Sequence, residues 1–413
     1  MIIVRAIFLI GALTLAATEG QGMLRQALNP PAAQPMANRE EAAAQAGYER
    51  GYERGSEHIE VLLLRVLSEI EGQRLDRALE RVEQMLERFP NYRLGHLIKG
   101  DLLLAQANAI GGIGTPVELS PERVADLRAE AQARLASYRH RPPAGHVPRN
   151  LVRMNAEQSH AVVVDAGRSR LYLFRNEGSS PRLVADYYVV QGEAGIDKFR
   201  EGDKRTPLGV YRITSSLPKE KLVDLYGSGA FPLNYPNEWD KLRGRRGSGI
   251  WLHGTQSDTF ARPPLASKGC LALSNQDLEL LRPYLQDGVT PVIITDRVDW
   301  VPVAELRRQR DDFSALLDVW RKDANSGDPT RLARHYSSRF ASTGVEPLRH
   351  SAGDSVEFER LSVFRNPGPD QVVVVSFEQK LRSGEAVRSA NRVQYWMFEP
   401  NGGWKIVYEG SSA

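Results

Sequence analysis

Apolar residues change their spacing twice along this chain. From Arg39 to about Tyr138 they recur at helical intervals, as in Val61, Leu64, Val66, Leu67 and Ile70, within a stretch rich in Ala, Leu, Glu and Arg. That period predicts an α-helical module. A linker containing Arg141-Pro142-Pro143-Ala144-Gly145 and Pro148 ends it, and period two takes over. His160–Asp165, Arg170–Phe174 and Leu183–Val190 read as successive strands, and Pro291–Thr295 closes the β-rich stretch near Arg297. After Trp300, helices are predicted from Ala304 to about Lys322 and from Pro329 to Phe340. Strands follow around Val356–Phe364, Gln371–Leu381, Arg388–Phe398 and Trp404–Glu409. Helices followed by a long-stranded antiparallel sheet indicate an α+β domain. The expected architecture is multidomain: a helical module over 23–145, a mostly-β domain over 155–297 and an α+β domain over 303–413.

Residues 1–22 stand apart. Met1-Ile2-Ile3-Val4-Arg5, the apolar stretch from Ala6 to Leu15 and the small and polar residues from Ala16 to Gly22 read as a secretory signal peptide, too short to span a membrane. An uncleaved anchor is the alternative, since Arg5 gives a weak n-region and no A-x-A cleavage site stands out. The 54 Lys and Arg against 51 Asp and Glu leave a net charge of +3, so no strong field argues for nucleic acid. An exported chain whose one cysteine is Cys270 has no internal disulfide and must rely on apolar burial. That thiol is either an inert small hydrophobe or a nucleophile.

The flanking modules carry weaker signals. Ala78, Val82, Met85, the break at Pro90, and then Leu97, Gly100 and Leu103 resemble one tetratricopeptide-type hairpin. A single unit fits plain packing or a homodimer contact at least as well as a peptide groove. The order of elements after residue 303, with Trp320, Tyr336, Phe340 and Trp404, resembles the nuclear-transport-factor-2-like domains. That resemblance implies either a pocket for a small ligand or a docking surface for wall-associated proteins.

The chemistry concentrates between residues 248 and 277. In Ser248-Gly249-Ile250-Trp251-Leu252-His253 the alternation puts Ile250 and Leu252 on one face and Trp251 and His253 on the other. In Cys270-Leu271-Ala272-Leu273 it turns Cys270 away from Leu271 and Leu273. Sixteen residues separate His253 from Cys270. Ser274 then reads as a helix N-cap with Asp277 three positions on. Pairing of a thiol with histidine favours the thiolate–imidazolium form. The N–H groups of Gly269 and Cys270 are candidates for an oxyanion hole, and the Gly254 carbonyl is a candidate to orient the His253 ring. No second cysteine or close histidine pair completes a metal set, and no cofactor is expected.

Here a specific resemblance emerges. His253-Gly254-Thr255, Ser267-x-Gly269-Cys270, Asn275, Asp277 and the upstream Gly202-Asp203-Lys204-Arg205-Thr206-Pro207-Leu208-Gly209 resemble the YkuD-type L,D-transpeptidase catalytic domain over about Ser159 to Asp296. The segment from Gly202 to Gly209, with Asp203, Thr206 and Pro207, reads by itself as a turn shaping the cleft wall. The resemblance implies that Cys270 attacks the carbonyl between the diamino acid and D-alanine of a peptidoglycan stem peptide, in the periplasm, through a thioester. An amine then makes a crosslink, or water leaves a trimmed tripeptide. Lys268 and Ala272 stand where many relatives carry histidine and arginine. The three-part architecture resembles the cell-shape L,D-carboxypeptidases. The expectation is a transpeptidase, with a carboxypeptidase as the alternative and a wall-binding scaffold without catalysis as a third reading.

Candidates for substrate binding are Tyr226, Trp251, Ser267, Lys268 and Arg245. Arg245 belongs to the basic run Arg243-Gly244-Arg245-Arg246 and suits the free carboxylates of a stem peptide. A solvated run is the commoner meaning of such arginines, and core packing is an equal alternative for Tyr226, Trp251 and Phe231.

Overall fold

The computed structural model describes residues 58–109, 121–139, 141–178, 180–340, 355–383 and 386–411. The signal-peptide reading of 1–22 lies outside them. The chain forms two compact units: one of residues 1–144 with Gln256–Pro264, the other of Gly145–Thr255 with Leu265–Ala413.

The first unit contains helices Ile59–Glu71, Leu75–Arg88, Arg93–Ala109 and Pro121–Arg139. Ala78, Val82, Met85 and Leu86 fall on one face of the second helix and are buried, the stripe that an amphipathic helix presents to its core. Pro90 sits in the turn before the third helix, as the sequence predicts. That helix, however, buries Leu94, Ile98 and Leu102, while Leu103 is 45% exposed. The core stripe is therefore one position away from the expected Leu97–Gly100–Leu103 set. Buried Arg134 joins Glu60 and Glu130 at 2.9 and 3.0 Å. Phe260, from the Gln256–Pro264 segment, packs on this core against Phe89 and Tyr92.

In the second unit a five-stranded sheet runs in the order Pro181–Tyr188, Arg170–Asn176, His160–Asp165, Pro291–Thr295, Gly209–Arg212. His160–Asp165 and Pro291–Thr295 pair in parallel. A second sheet has the order Leu271–Ala272, Trp251–His253, Gly229–Pro232, Leu217–Pro218. Val162, Val164, Leu171 and Leu173 fill the space between the sheets with Phe231, Leu252 and Leu271. Phe231 is thus core, not pocket lining.

The other face of the large sheet is also buried. Ala161, Val163, Tyr172, Phe174 and Ile293 share one apolar cluster with Phe364, Val372, Val374, Val393 and Val407 of the C-terminal antiparallel sheet. That sheet runs Ser355–Arg365, Val372–Ser383, Ala386–Glu399, Gly403–Ser411 in chain order. Its opposite face, with Val373, Val375, Phe377 and Trp396, packs on Phe313, Leu317 and Trp320 of helix Val303–Ala324. Strand His146–Pro148 pairs with Trp300–Pro302, and Trp239 stacks on Tyr395 at 5.7 Å. The sequence predicts separate cores for 155–297 and 303–413; each has one of its own, and the structure adds a third that they share. The expected helix from Pro329 ends at Ala333.

Candidate active site

The short strands Trp251–His253 and Leu271–Ala272 lie side by side in parallel, with Leu252 opposite Leu271 and His253 opposite Ala272. Leu252 and Leu271 enter the core, so the residues alternating with them face away from it. His253 is buried and Cys270 half-buried. The Cys270 thiol donates to Gly249 O at 3.3 Å. His253 Nδ1 lies 2.6 Å from Gly254 O, which fixes the tautomer with Nδ1 protonated, so that Nε2 is the nitrogen able to take up a proton. Among the described residues no group of three His, Cys, Asp or Glu side chains is placed to hold a metal ion.

Burial pushes the Cys270 thiol above its ordinary value; the Trp251 N–H and the charge of Lys198 offset this in part. A raised thiol favours the neutral form, so Cys270 needs a base to ionise it. Lys198 is a residue the sequence reading passes over. It is buried, and its Nζ donates to Asp203 Oδ1 at 2.8 Å and to Arg200 O at 3.0 Å. Burial would raise the Asp203 carboxyl, but Lys198 and the N–H groups of Arg200, Phe199 and Arg205 outweigh it and hold it well below the usual range. The Gly202-Asp203 segment is thus a turn organised on one carboxylate.

Two expected roles change. Gly269 N–H donates to Ser267 Oγ at 3.1 Å, so it is already used and does not point at an incoming oxyanion. Ser267 Oγ in turn donates to Cys270 O at 2.6 Å, and the side chain is buried. Ser267 therefore braces the turn before the nucleophile and does not face substrate. Thr206 adds a second brace: its Oγ1 accepts from Gly192 N–H at 2.9 Å and donates to Gly269 O at 3.0 Å. Gly269 itself has φ +120°, and a Cβ there would lie 2.7 Å from Arg205 O, so only glycine fits.

The aromatic candidates do meet. Tyr226 lies 4.7 Å from Trp251 and, edge-on, 5.1 Å from His253. Burial and the nearby Cys270 push its phenol up. Lys268, two residues before the thiol, is exposed. Arg245 is engaged inside the chain, by Asp197 Oδ1 at 2.5 Å and Lys198 O at 3.2 Å, so it steadies the loop carrying Lys198. Arg243 likewise pairs with Asp370. These acceptors lie 48 and 127 residues away, out of reach of a local reading.

Residues 159–294 match the YkuD family, the L,D-transpeptidase catalytic domain. "Putative L,D-transpeptidase YafK" of Escherichia coli (strain K12) is 24% identical over 162 residues, 36% of this chain and 57% of that one. The chain thus spans a little over half the length of that curated relative. The structure of Bd1075 from Bdellovibrio bacteriovorus superposes with a TM-score of 0.54 at 24% identity, covering 65% of this chain and 98% of the other. The helical cell shape determining protein Pgp2 from Campylobacter jejuni gives 0.51 at 21%, covering 63% and 95%. Both show a shared fold. Residues 159–294 are thus a YkuD-type L,D-transpeptidase catalytic domain.

Proposed function

We propose that this protein is a periplasmic peptidoglycan L,D-transpeptidase with Cys270 as nucleophile. The observation that carries the reading is the side-by-side placement of the two short strands, with His253 Nδ1 held on Gly254 O and Cys270 next in line to Leu271. His253 takes the thiol proton as sulfur attacks the carbonyl of the diamino acid–D-alanine amide. The C–N bond breaks, the imidazolium returns the proton to the leaving amine, and a thioester remains. An acceptor amine then attacks the thioester, gives a proton to His253 and frees the thiolate. With Gly269 N–H engaged, the N–H of Cys270 is left as the oxyanion donor from the expected pair.

Hydrolysis of the same thioester is the second reading, and position 272 favours it. Ala272 is fully buried and offers no cation to an acceptor stem. The likeness to Pgp2 extends over 63% of this chain, beyond the catalytic segment, and supports an architecture shared with a cell-shape protein. On this reading the C-terminal α+β part is a nuclear-transport-factor-2-like domain, supported by a helix packed on one face of a four-stranded antiparallel sheet. Incubation with tetrapeptide muropeptides and mass analysis tests both readings. Cys270→Ala should abolish D-alanine release. Diamino-acid-to-diamino-acid dimers indicate transfer to an amine; tripeptide alone, even at high acceptor concentration, overturns the transpeptidase reading. An inactive native protein would leave the scaffold.

A further inference from the structure

We infer that Asn275 is a positioning residue for His253, acting through the peptide plane between Gly254 and Thr255. The inference rests on the reading of Cys270 and His253 given above. Asn275 opens the helix Asn275–Leu281, five residues beyond the thiol. Ser274 fixes that first turn: its Oγ accepts from Asp277 N–H at 3.0 Å and donates to Asp277 Oδ2 at 2.8 Å.

The side chain of Asn275 then reaches across to the segment after the histidine. Its Oδ1 accepts from Thr255 N–H at 3.1 Å and from Ser228 N–H at 2.9 Å, and its Nδ2 donates to Thr255 O at 2.8 Å. The Gly254 carbonyl and the Thr255 N–H belong to one peptide unit, which is planar and turns as a rigid body. Clamping the N–H on one side therefore sets the direction of the C=O on the other. That carbonyl is the group 2.6 Å from His253 Nδ1. The Gly254 N–H is held too, by Tyr226 O at 3.1 Å and Gly229 O at 3.2 Å.

Two glycines make room for the amide. A Cβ at Gly254 would lie 2.1 Å from Asn275 Oδ1, and one at Gly227, where φ is +60°, 2.0 Å from it. Ser228 N–H brings the Tyr226 loop onto the same oxygen. One amide thus links the helix after the nucleophile, the peptide that aims the imidazole and the loop bearing Tyr226, whose ring stands against His253.

The test compares Asn275→Ala with Asn275→Asp, which keeps the acceptor for Thr255 N–H. In the full-length protein, Asn275→Ala should lower kcat for D-alanine release about 10- to 100-fold, as expected when a reacting group is misaimed, with KM within about twofold. Asn275→Asp should retain more activity than Asn275→Ala. Nitrogen-15 and proton NMR of the histidines, assigned with His253→Gln, should show the hydrogen-bonded Nδ1–H of His253 in the native protein. In Asn275→Ala that signal should be lost or shifted, because the carbonyl that accepts the Nδ1–H is no longer aimed at the ring. If melting temperature alone falls while kcat, the pH–rate profile and the His253 signals stay native, the inference is wrong. If Asn275→Ala does not fold, Asn275→Asp decides on the same signals. Should the native protein release no D-alanine, the functional reading fails, yet the His253 signals still decide the role of Asn275.

Discussion

The ring of Phe260 stands edge-on to that of Tyr92, with centroids 5.1 Å apart, and meets Phe89 in the same way at 5.5 Å. Phe260 comes from the sixteen residues that separate His253 from Cys270, yet it packs with the helical core. Edge-to-face pairs contribute about 0.5–1.5 kcal/mol each beyond burial. Phe260→Ala should therefore destabilise the helical unit by roughly 1–3 kcal/mol, read as a lower urea midpoint of the helical signal. An unchanged midpoint would show that the segment does not pack there.

The raised Cys270 thiol predicts how the protein meets an alkylating reagent. The rate of iodoacetamide labelling against pH should have its midpoint above that of a free cysteine, near 8.5. Lys198→Met removes a positive charge that favours the thiolate, so the midpoint should move further up. A native midpoint below the free-cysteine value would mean that a preformed ion pair with His253 governs the thiol after all.

Asp240 gives a pH signature of its own. Burial, only partly offset by Asn237 N–H and the Tyr211 hydroxyl, pushes its carboxyl up to about 6 from an ordinary 3.8. A raised carboxyl favours the folded state fully at pH values below its ordinary one, and that favour is lost as pH rises through about 6. The cost at neutral pH is on the order of 2–3 kcal/mol. Asp240→Asn keeps an acceptor for Asn237 N–H. Relative to this variant, the native protein should lose stability between about pH 4 and pH 7, followed by thermal melts; parallel curves for the two proteins would refute the assignment.

The strands and the chemistry were legible in the sequence to different depths. His160–Asp165 and Pro291–Thr295 were located to the residue, because each is a short β-branched apolar run bounded by polar or turn-forming residues. The unbroken run Ala161–Val164 carried a further signal, since a strand apolar on both faces is covered on both faces. That signal pointed to the common core with the C-terminal sheet and went unread. At the site, alternation correctly turned Leu252 and Leu271 inward. The roles of Ser267 and Gly269 were not legible: a hydroxyl two residues from an N–H can face a cleft or close a turn, and only the backbone path decides. Lys198 is a buried lysine among Asp197, Phe199 and Arg200, whose composition reads as surface. Its place depends on Asp203 folding back over it.

The sandwiching of the large sheet also bears on how such a chain can change through evolution. With Val163, Phe174 and Ile293 covered by Val374 and Val393, the C-terminal part is the lining of the catalytic sheet and not cargo fused to it. A relative that exchanged this part for another module would have to supply a new apolar face of matching shape, or else make the outward side of His160–Asp165 polar at every second position.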